Sequence, residues 1–286
     1  MKLIANIKDI NSFNSLSILG VDCFLLSDRK FSSSPNGIGK NRIRKIVKLV
    51  HKNGREVIAK VDRLYQESEI EDLINYLLFL ERIQFDYVLF SDVAIIQIIK
   101  ENNLKLKTIY APETLLTNSY DVKQLKADGI SNCVISKDIT LDNVYDIIKD
   151  NKEYCYYRFH GPVLISYSKR RFISIYLGYK KQRLNSYYLQ EESRNNKMPI
   201  VEKNTGTWLY YGCLESLDKF NEMRQMPFAG LIIDNILYDD EYTIEVLKIY
   251  NSELTYQEKM KALKQLDNRI EYISISEIKK TQLDKE

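Results

Sequence analysis

Short runs of β-forming residues alternate with segments of helical periodicity at intervals of roughly 20 to 30 residues, the spacing of successive βα units. That rhythm most limits what the chain can fold into. The candidate strands are KLIANI (2–7), DCFLLS (22–27), EVIAKV (56–61), DYVLFS (86–91), KTIYA (107–111), NCVISK (132–137), YCYYRFH (154–160) and FAGLIIDN (228–235). Between them, RIRKIVKLVHKNG places Ile43, Ile46, Val47 and Val50 on one helical face, and Gly54 closes it. In SEIEDLINYLLFLERI, Ser68 with Glu71 three residues on predicts a capping box. The rhythm breaks after the seventh strand. Residues 163–212 read as β-rich, with ISIYLGY, NSYYLQEES, MPIVEKN and TWLYYG set off by turn signals at Asn195-Asn196 and Thr205-Gly206. It returns with a helix in LESLDKFNEMR, the eighth strand and a helix from Asp240, and the tail after Leu254 reads as charged and helical.

Eight strands predict an α/β fold: a TIM-barrel-like parallel (βα) barrel with a β-rich insertion between strands seven and eight. Residues 1–162 would hold the first seven units, 163–212 the basic insertion, and 213–286 the closing strand and C-terminal helices. The alternative, an open doubly wound sheet, calls for a glycine-rich nucleotide loop after its first strand, and IKDINS follows there instead.

The 286 residues carry 42 basic and 39 acidic side chains, a net +3, which permits a local basic patch without requiring a polyanionic partner. Cys23, Cys133, Cys155 and Cys213 form no CxxC pair, which argues against a zinc ribbon or a disulfide framework. The first three fall inside strands, where a buried reduced thiol is expected. No basic, then apolar, leader opens the chain and its apolar runs, such as YLLFL, are too short to span a bilayer, so a soluble cytoplasmic protein without membrane contact is expected.

A barrel of this kind works at the C-terminal ends of its strands. Ser27, Asp28, Asp62, Arg63, Ser91, Asp92, Glu113, Thr114, Lys137, His160 and Asp234 fall there, and His160, Glu113 and Asp234 are the expected catalytic group. His51 sits in the last turn of a helix, where a solvated cap favourable to the helix dipole is expected. With two histidines so far apart there is no HExxH motif, so no metal site is expected. Ser166 and Ser168 lack the GxSxG elbow of a serine hydrolase. Lys169, Arg170 and Arg171, followed by Lys180, Lys181, Arg183 and Arg194, concentrate cations beside His160, and with Ser168 they are the expected anion-binding residues. Tyr187, Tyr188, Trp208, Tyr210 and Tyr211 interleave with them, as stacking platforms for unpaired bases or simply as strand formers.

YRFHGPVLISYSKRRFIS resembles the signature segment of the peptidase U32 family, in which a strand ends in His-Gly and a serine–arginine turn follows. The similarity extends through LQEESRNNKMPIVEKNTGTWLYYG and FAGLIIDNILYDDEYTIEVLKIY, and upstream through IYAPETLLTNSYDVKQLKADGISNCVISKDIT, so it covers nearly the whole chain. The branch it looks most like is that of paired proteins supporting tRNA wobble-uridine hydroxylation. The resemblance implies 5-hydroxylation of the wobble uridine dependent on prephenate, with tRNA, prephenate and a larger family paralogue as partners. Other branches are described as collagenase-like peptidases, and a non-catalytic partner subunit is a further alternative. Many members hold an iron–sulfur cluster on cysteines after the His-Gly pair. Here Leu164 and Phe172 stand where such cysteines often occur and YLGYKKQRLNSYYL has none, so no cofactor is expected in this chain.

Overall fold

The computed structural model of the protein describes residues 1–178, 187–190, 192 and 197–278. Seven strands, β1 (Lys2–Asn6), β2 (Cys23–Ser27), β3 (Glu56–Val61), β4 (Tyr87–Phe90), β5 (Lys107–Tyr110), β6 (Asn132–Val134) and β7 (Cys155–Ser168), lie side by side in chain order. After β8 (Tyr187–Gln190), β9 (Lys197–Lys203) and β10 (Gly206–Glu215) comes β11 (Gly230–Ile233). It pairs in parallel with both β1 and β7 and closes an eight-stranded parallel barrel. Both faces of these strands are covered, which is why they read as apolar runs without alternation. Ile4, Leu25, Ile58, Leu89, Ile109, Tyr156 and Ile232 point inward and fill the barrel. Their neighbours Ala5, Phe24, Leu26, Val57, Ala59, Val88 and Ile233 point outward and join the larger core under the helices.

The helical ring begins with α1 (Phe13–Ile18), α2 (Lys40–Lys52), α3 (Ile70–Arg82), α4 (Ala94–Glu101), α5 (Ser119–Ala127) and α6 (Leu141–Lys149). In α2 the buried residues are Ile43, Ile46, Val47 and Val50, the stripe read from its spacing. Asn118 and Thr140 cap α5 and α6 through their side chains. The capping box expected at Ser68 and Glu71 sits two residues earlier, between Gln66 and Glu69, because a 3₁₀ turn precedes α3.

β7 is fourteen residues long, so one continuous strand serves first the barrel and then the inserted sheet. The transition is at Gly161, whose φ is +142° and where a Cβ would stand 2.5 Å from the Asp234 carbonyl oxygen. Only glycine fits that approach. Beyond it β10 runs antiparallel to β7, and β9 and β8 follow. ISIYLGY, expected as a strand, contributes instead to a one-turn helix, α7 (Phe172–Tyr176). Its first turn is held by Thr207, which accepts from the Phe172 N–H, and Glu202, which accepts from the Ser174 N–H. These contacts outweigh the weak β preference of its isoleucines. The chain completes with α8 (Phe220–Met223), α9 (Asp240–Asn251), α10 (Tyr256–Leu266) and a short β12 (Tyr272–Ser274) that adds to β10 in parallel. The helical reading of the tail omitted β12. Among the described residues no helix is long and apolar enough to cross a membrane.

Candidate functional site

The period-two rule carries the inward face of each strand past the apolar filling and into charge. Leu25 leads to Ser27, Ile58 to Lys60 and Asp62, Tyr156 to Arg158, and Ile232 to Asp234. At the C-terminal mouth these meet Glu113 and Lys137, from the ends of β5 and β6. The Lys60 ammonium lies 2.5 Å from the Asp234 carboxylate and 3.5 Å from that of Asp62. Arg158 grips Glu113 with both terminal nitrogens, at 2.9 and 3.1 Å, and stands 3.5 Å from Asp234. Lys137 approaches Glu113 to 3.9 Å. Lys60, Lys137 and Arg158 thus face Asp62, Glu113 and Asp234, and Lys137 also stands 3.4 Å from Asp138 at the rim. Asp62 is anchored from outside by the Ser33 backbone N–H and hydroxyl.

Burial alone would favour neutral carboxyls here, but the neighbouring cations prevail. Lys60 and Arg158 hold Asp234 below the usual carboxylate range, and Arg158 and Lys137 do the same for Glu113. Burial opposes the charge on Lys60, yet Asp234 and Asp62 raise its pKa. Lys60 is therefore held as a cation between its two carboxylates. Among the described residues the Ser27 hydroxyl, Asp234 Oδ1 and Arg158 Nε are buried without a hydrogen-bond partner. They are donors and acceptors that a polar ligand group would satisfy. The cleft between Glu113, Lys137 and Arg158 measures about 10 Å³, room for about one water. A larger guest must displace part of the cluster.

The insertion roofs this mouth. Tyr210 of β10 is buried, and burial together with the charges of Asp62, Asp234 and Glu113 pushes its phenol well above the ordinary range. Trp208, Tyr210 and Ile236 form a small core of their own, with Trp208 stacked on Tyr167. Lys203 of β9 reaches across to the loop after β2, donating to the carbonyls of Arg29, Ser32 and Ser34 at 2.9–3.0 Å.

Of the expected catalytic group, Glu113 and Asp234 meet in this cluster and His160 does not. A register shift in the β7–β11 pairing follows Arg158, so that Arg158 stands beside Ile232 but His160 stands beside Ile233. This bulge turns His160 to the outer face of the barrel. There it is fully buried, its Nδ1 3.3 Å from the Tyr250 hydroxyl and its Nε2 3.5 Å from the Cys213 thiol, with Tyr242 and Tyr272 close by. Burial lowers its pKa to about 3. Its expected place at the mouth is corrected: it is a neutral ring packed under α9.

The anion-binding set is also redistributed. Lys169 is committed to Glu69 and the Leu64 carbonyl, and Arg171 pairs with Glu202 at 3.4 Å. The Ser168 hydroxyl accepts from the Arg170 N–H, and Arg170 is exposed. Among the described residues no Ser–His pair forms. Arg194, with Lys180, Lys181 and Arg183, lies outside the described residues. His51 faces Asp86 at 3.0 Å, a specific partner that its reading as a solvated cap omitted. Lys60 and Arg158 were missed by reading only strand ends. The available signal was a lone cation two positions beyond an inward apolar residue. All four cysteines are free and buried, with Cys133 and Cys155 sulfurs 3.8 Å apart. Among the described residues no group of three or more His, Cys, Asp or Glu could hold a metal ion.

The family described as Peptidase family U32 matches residues 8–285. The chain is 26% identical over 247 residues to "tRNA hydroxylation protein P2" of Bacillus subtilis (strain 168), covering 82% of this chain and 79% of that one. Its fold is similar to the solved structure of "the U32 peptidase Mk0906", with a TM-score of 0.50, 10% identity, and coverage of 81% of this chain and 92% of that one.

Proposed function

This chain belongs to peptidase family U32, and on that premise we propose that it supports the hydroxylation of transfer RNA. The single observation carrying the proposal is the alignment with the Bacillus subtilis tRNA hydroxylation protein over four-fifths of both chains. The finer reading is 5-hydroxylation of the wobble uridine dependent on prephenate, with a larger family paralogue as partner.

The charged mouth supports this reading. Prephenate is a dicarboxylate, and Lys60, Lys137 and Arg158 are cations already holding carboxylates in a site largely shielded from water. An incoming carboxylate would replace Glu113 on the planar fork of Arg158, and the released Glu113 would become a proton acceptor beside the guest. Asp234 would keep Lys60 and Arg158 in place. Exposed Arg170 would add an RNA phosphate contact at the rim, and His160 would act indirectly, by fixing the bulge that aims Arg158.

The test is deletion of the gene, in a strain without a compensating paralogue, followed by mass analysis of tRNA nucleosides. Loss of hydroxylated wobble uridine, restored by the wild-type gene but not by an Arg158→Met copy, is expected. An unchanged level of the modified nucleoside would sink the proposal.

A further inference from the structure

In the insertion Lys169, Arg171 and Lys203 are held by carboxylate or carbonyl partners, whereas among the described residues the cations of α2 are not. Its sequence, KNRIRKIVKLVHK, holds Lys40, Arg42, Arg44, Lys45, Lys48 and Lys52 and no acid. All six are exposed, and none makes an ion pair among the described residues. At 100° per residue they sweep an arc of about 200°, with Arg44, Lys48 and Lys52 in one row along a helix ~20 Å long. Lys40 and Arg44 lie over the Phe79 ring at 5.1 and 4.9 Å, which orients them without neutralising them. The preceding helix, α1, bears no charge to compete. On the far side, Asp72 of α3 is matched by Lys30.

This face leads to the barrel mouth. Where α2 begins, a cleft of about 760 Å³ is lined by Lys8, Arg29, Lys40 and Arg42, with no carboxylate in its wall. The helix cannot turn over into a lipid surface, because Ile43, Ile46 and Val50 are fully buried against the barrel. What remains is a polar, cationic track one face wide, matched to a row of fixed negative charges. We infer that the exposed face of α2 and the cleft at its start bind the phosphodiester backbone of a folded RNA, and direct one nucleotide toward the mouth. This rests on the tRNA reading above and adds to it where the RNA lies.

The experiment measures binding of purified tRNA to the full chain across a salt series. It compares wild type with Lys45→Gln/Lys48→Gln/Lys52→Gln and with Lys100→Gln/Lys261→Gln/Lys264→Gln, a control that removes the same charge from α4 and α10. The α2 variant is expected to bind about 10- to 100-fold more weakly near 0.1 M salt, with the log–log salt slope shallower by about 2 to 3. The control is expected to change less than about twofold. Equal weakening by both variants, no effect of the α2 variant, no binding of tRNA by wild type, or tighter binding to phosphatidylserine vesicles than to tRNA would each overturn the inference. Nucleoside analysis of complemented deletion strains separates the two ideas. If deletion abolishes the modification but the α2 variant restores it fully, the docking face is wrong and the function stands.

Discussion

Arg158→Met removes one cation from the mouth and keeps roughly the same length of side chain. Arg158 holds Glu113 bidentately at 2.9 and 3.1 Å and stands 3.5 Å from Asp234. At an effective dielectric of about 20, each such attraction is worth roughly 4 kcal/mol. Relief of the desolvation of the guanidinium offsets part of that, and breaking a buried pair typically costs about 3–5 kcal/mol net. The sign of the pH dependence follows. In wild type the Glu113 pKa lies below its ordinary value, so its contribution is present at neutral pH and is lost as pH falls through the folded pKa. In the variant, burial without the arginine raises that pKa. The destabilisation is then largest at neutral pH and shrinks as pH falls toward 4. A rise of one unit alone narrows the gap by about 1.4 kcal/mol. Urea unfolding of both proteins at pH 7 and pH 4 measures it, with a midpoint drop on the order of 1 M expected at pH 7. A loss under about 1 kcal/mol at pH 7, or a gap that stays constant or widens on acidification, refutes the reasoning.

His160 is neutral in the fold with a pKa of about 3, so its contribution to stability is complete above about pH 6.5 and is lost as pH falls toward 3. His160→Gln should start less stable by about 1–3 kcal/mol but lose about 2 kcal/mol less than wild type between pH 7 and 5, as read by urea unfolding at both pH values. Gly161→Ala should cost at least about 2–3 kcal/mol, because its Cβ meets the Asp234 carbonyl at 2.5 Å, and should lower the melting temperature by about 5–10 °C. Lys203→Met leaves the carbonyls of Arg29, Ser32 and Ser34 without that ammonium, so limited proteolysis between residues 29 and 38 should quicken while the barrel core stays protected from hydrogen exchange.

The barrel was legible because parallel strands buried on both faces leave apolar runs of strand length, and the helices between them carry their own stripe. Glu113 and Asp234 were legible as strand ends. Lys60 and Arg158 were hidden by the rule that strand interiors are apolar, which fails in the last inward layer of a barrel. His160 was misplaced by a bulge that only Gly161-Pro162 hints at, and a one-residue slip reverses a side chain's face. The basic turn at Lys169–Arg171 suggested an anion site because its partners are remote, Glu69 lying 100 residues from Lys169 and Glu202 31 from Arg171. Local reading sees the cations and not the acids that meet them. In α2 the apolar stripe identified the helix, while the significance of its other face depended on what surrounds it.

The closing pair of the barrel joins residues 2–5 to residues 230–233, and the Lys60–Asp234 contact spans 174 residues. Ring closure therefore brings a large loop-entropy cost that no earlier strand can defray, and chains dominated by such distant pairings fold slowly. During synthesis the seven leading strands emerge first, with Lys60 and Arg158 committed to the inner face and Asp234 not yet made. Until β11 docks, two of the mouth's cations lack a shared counter-ion and the edges of β1 and β7 remain open to other strands. Asp234 thus couples assembly to chemistry: Lys60 and Arg158 gain their shared counter-ion at the moment the ring is complete.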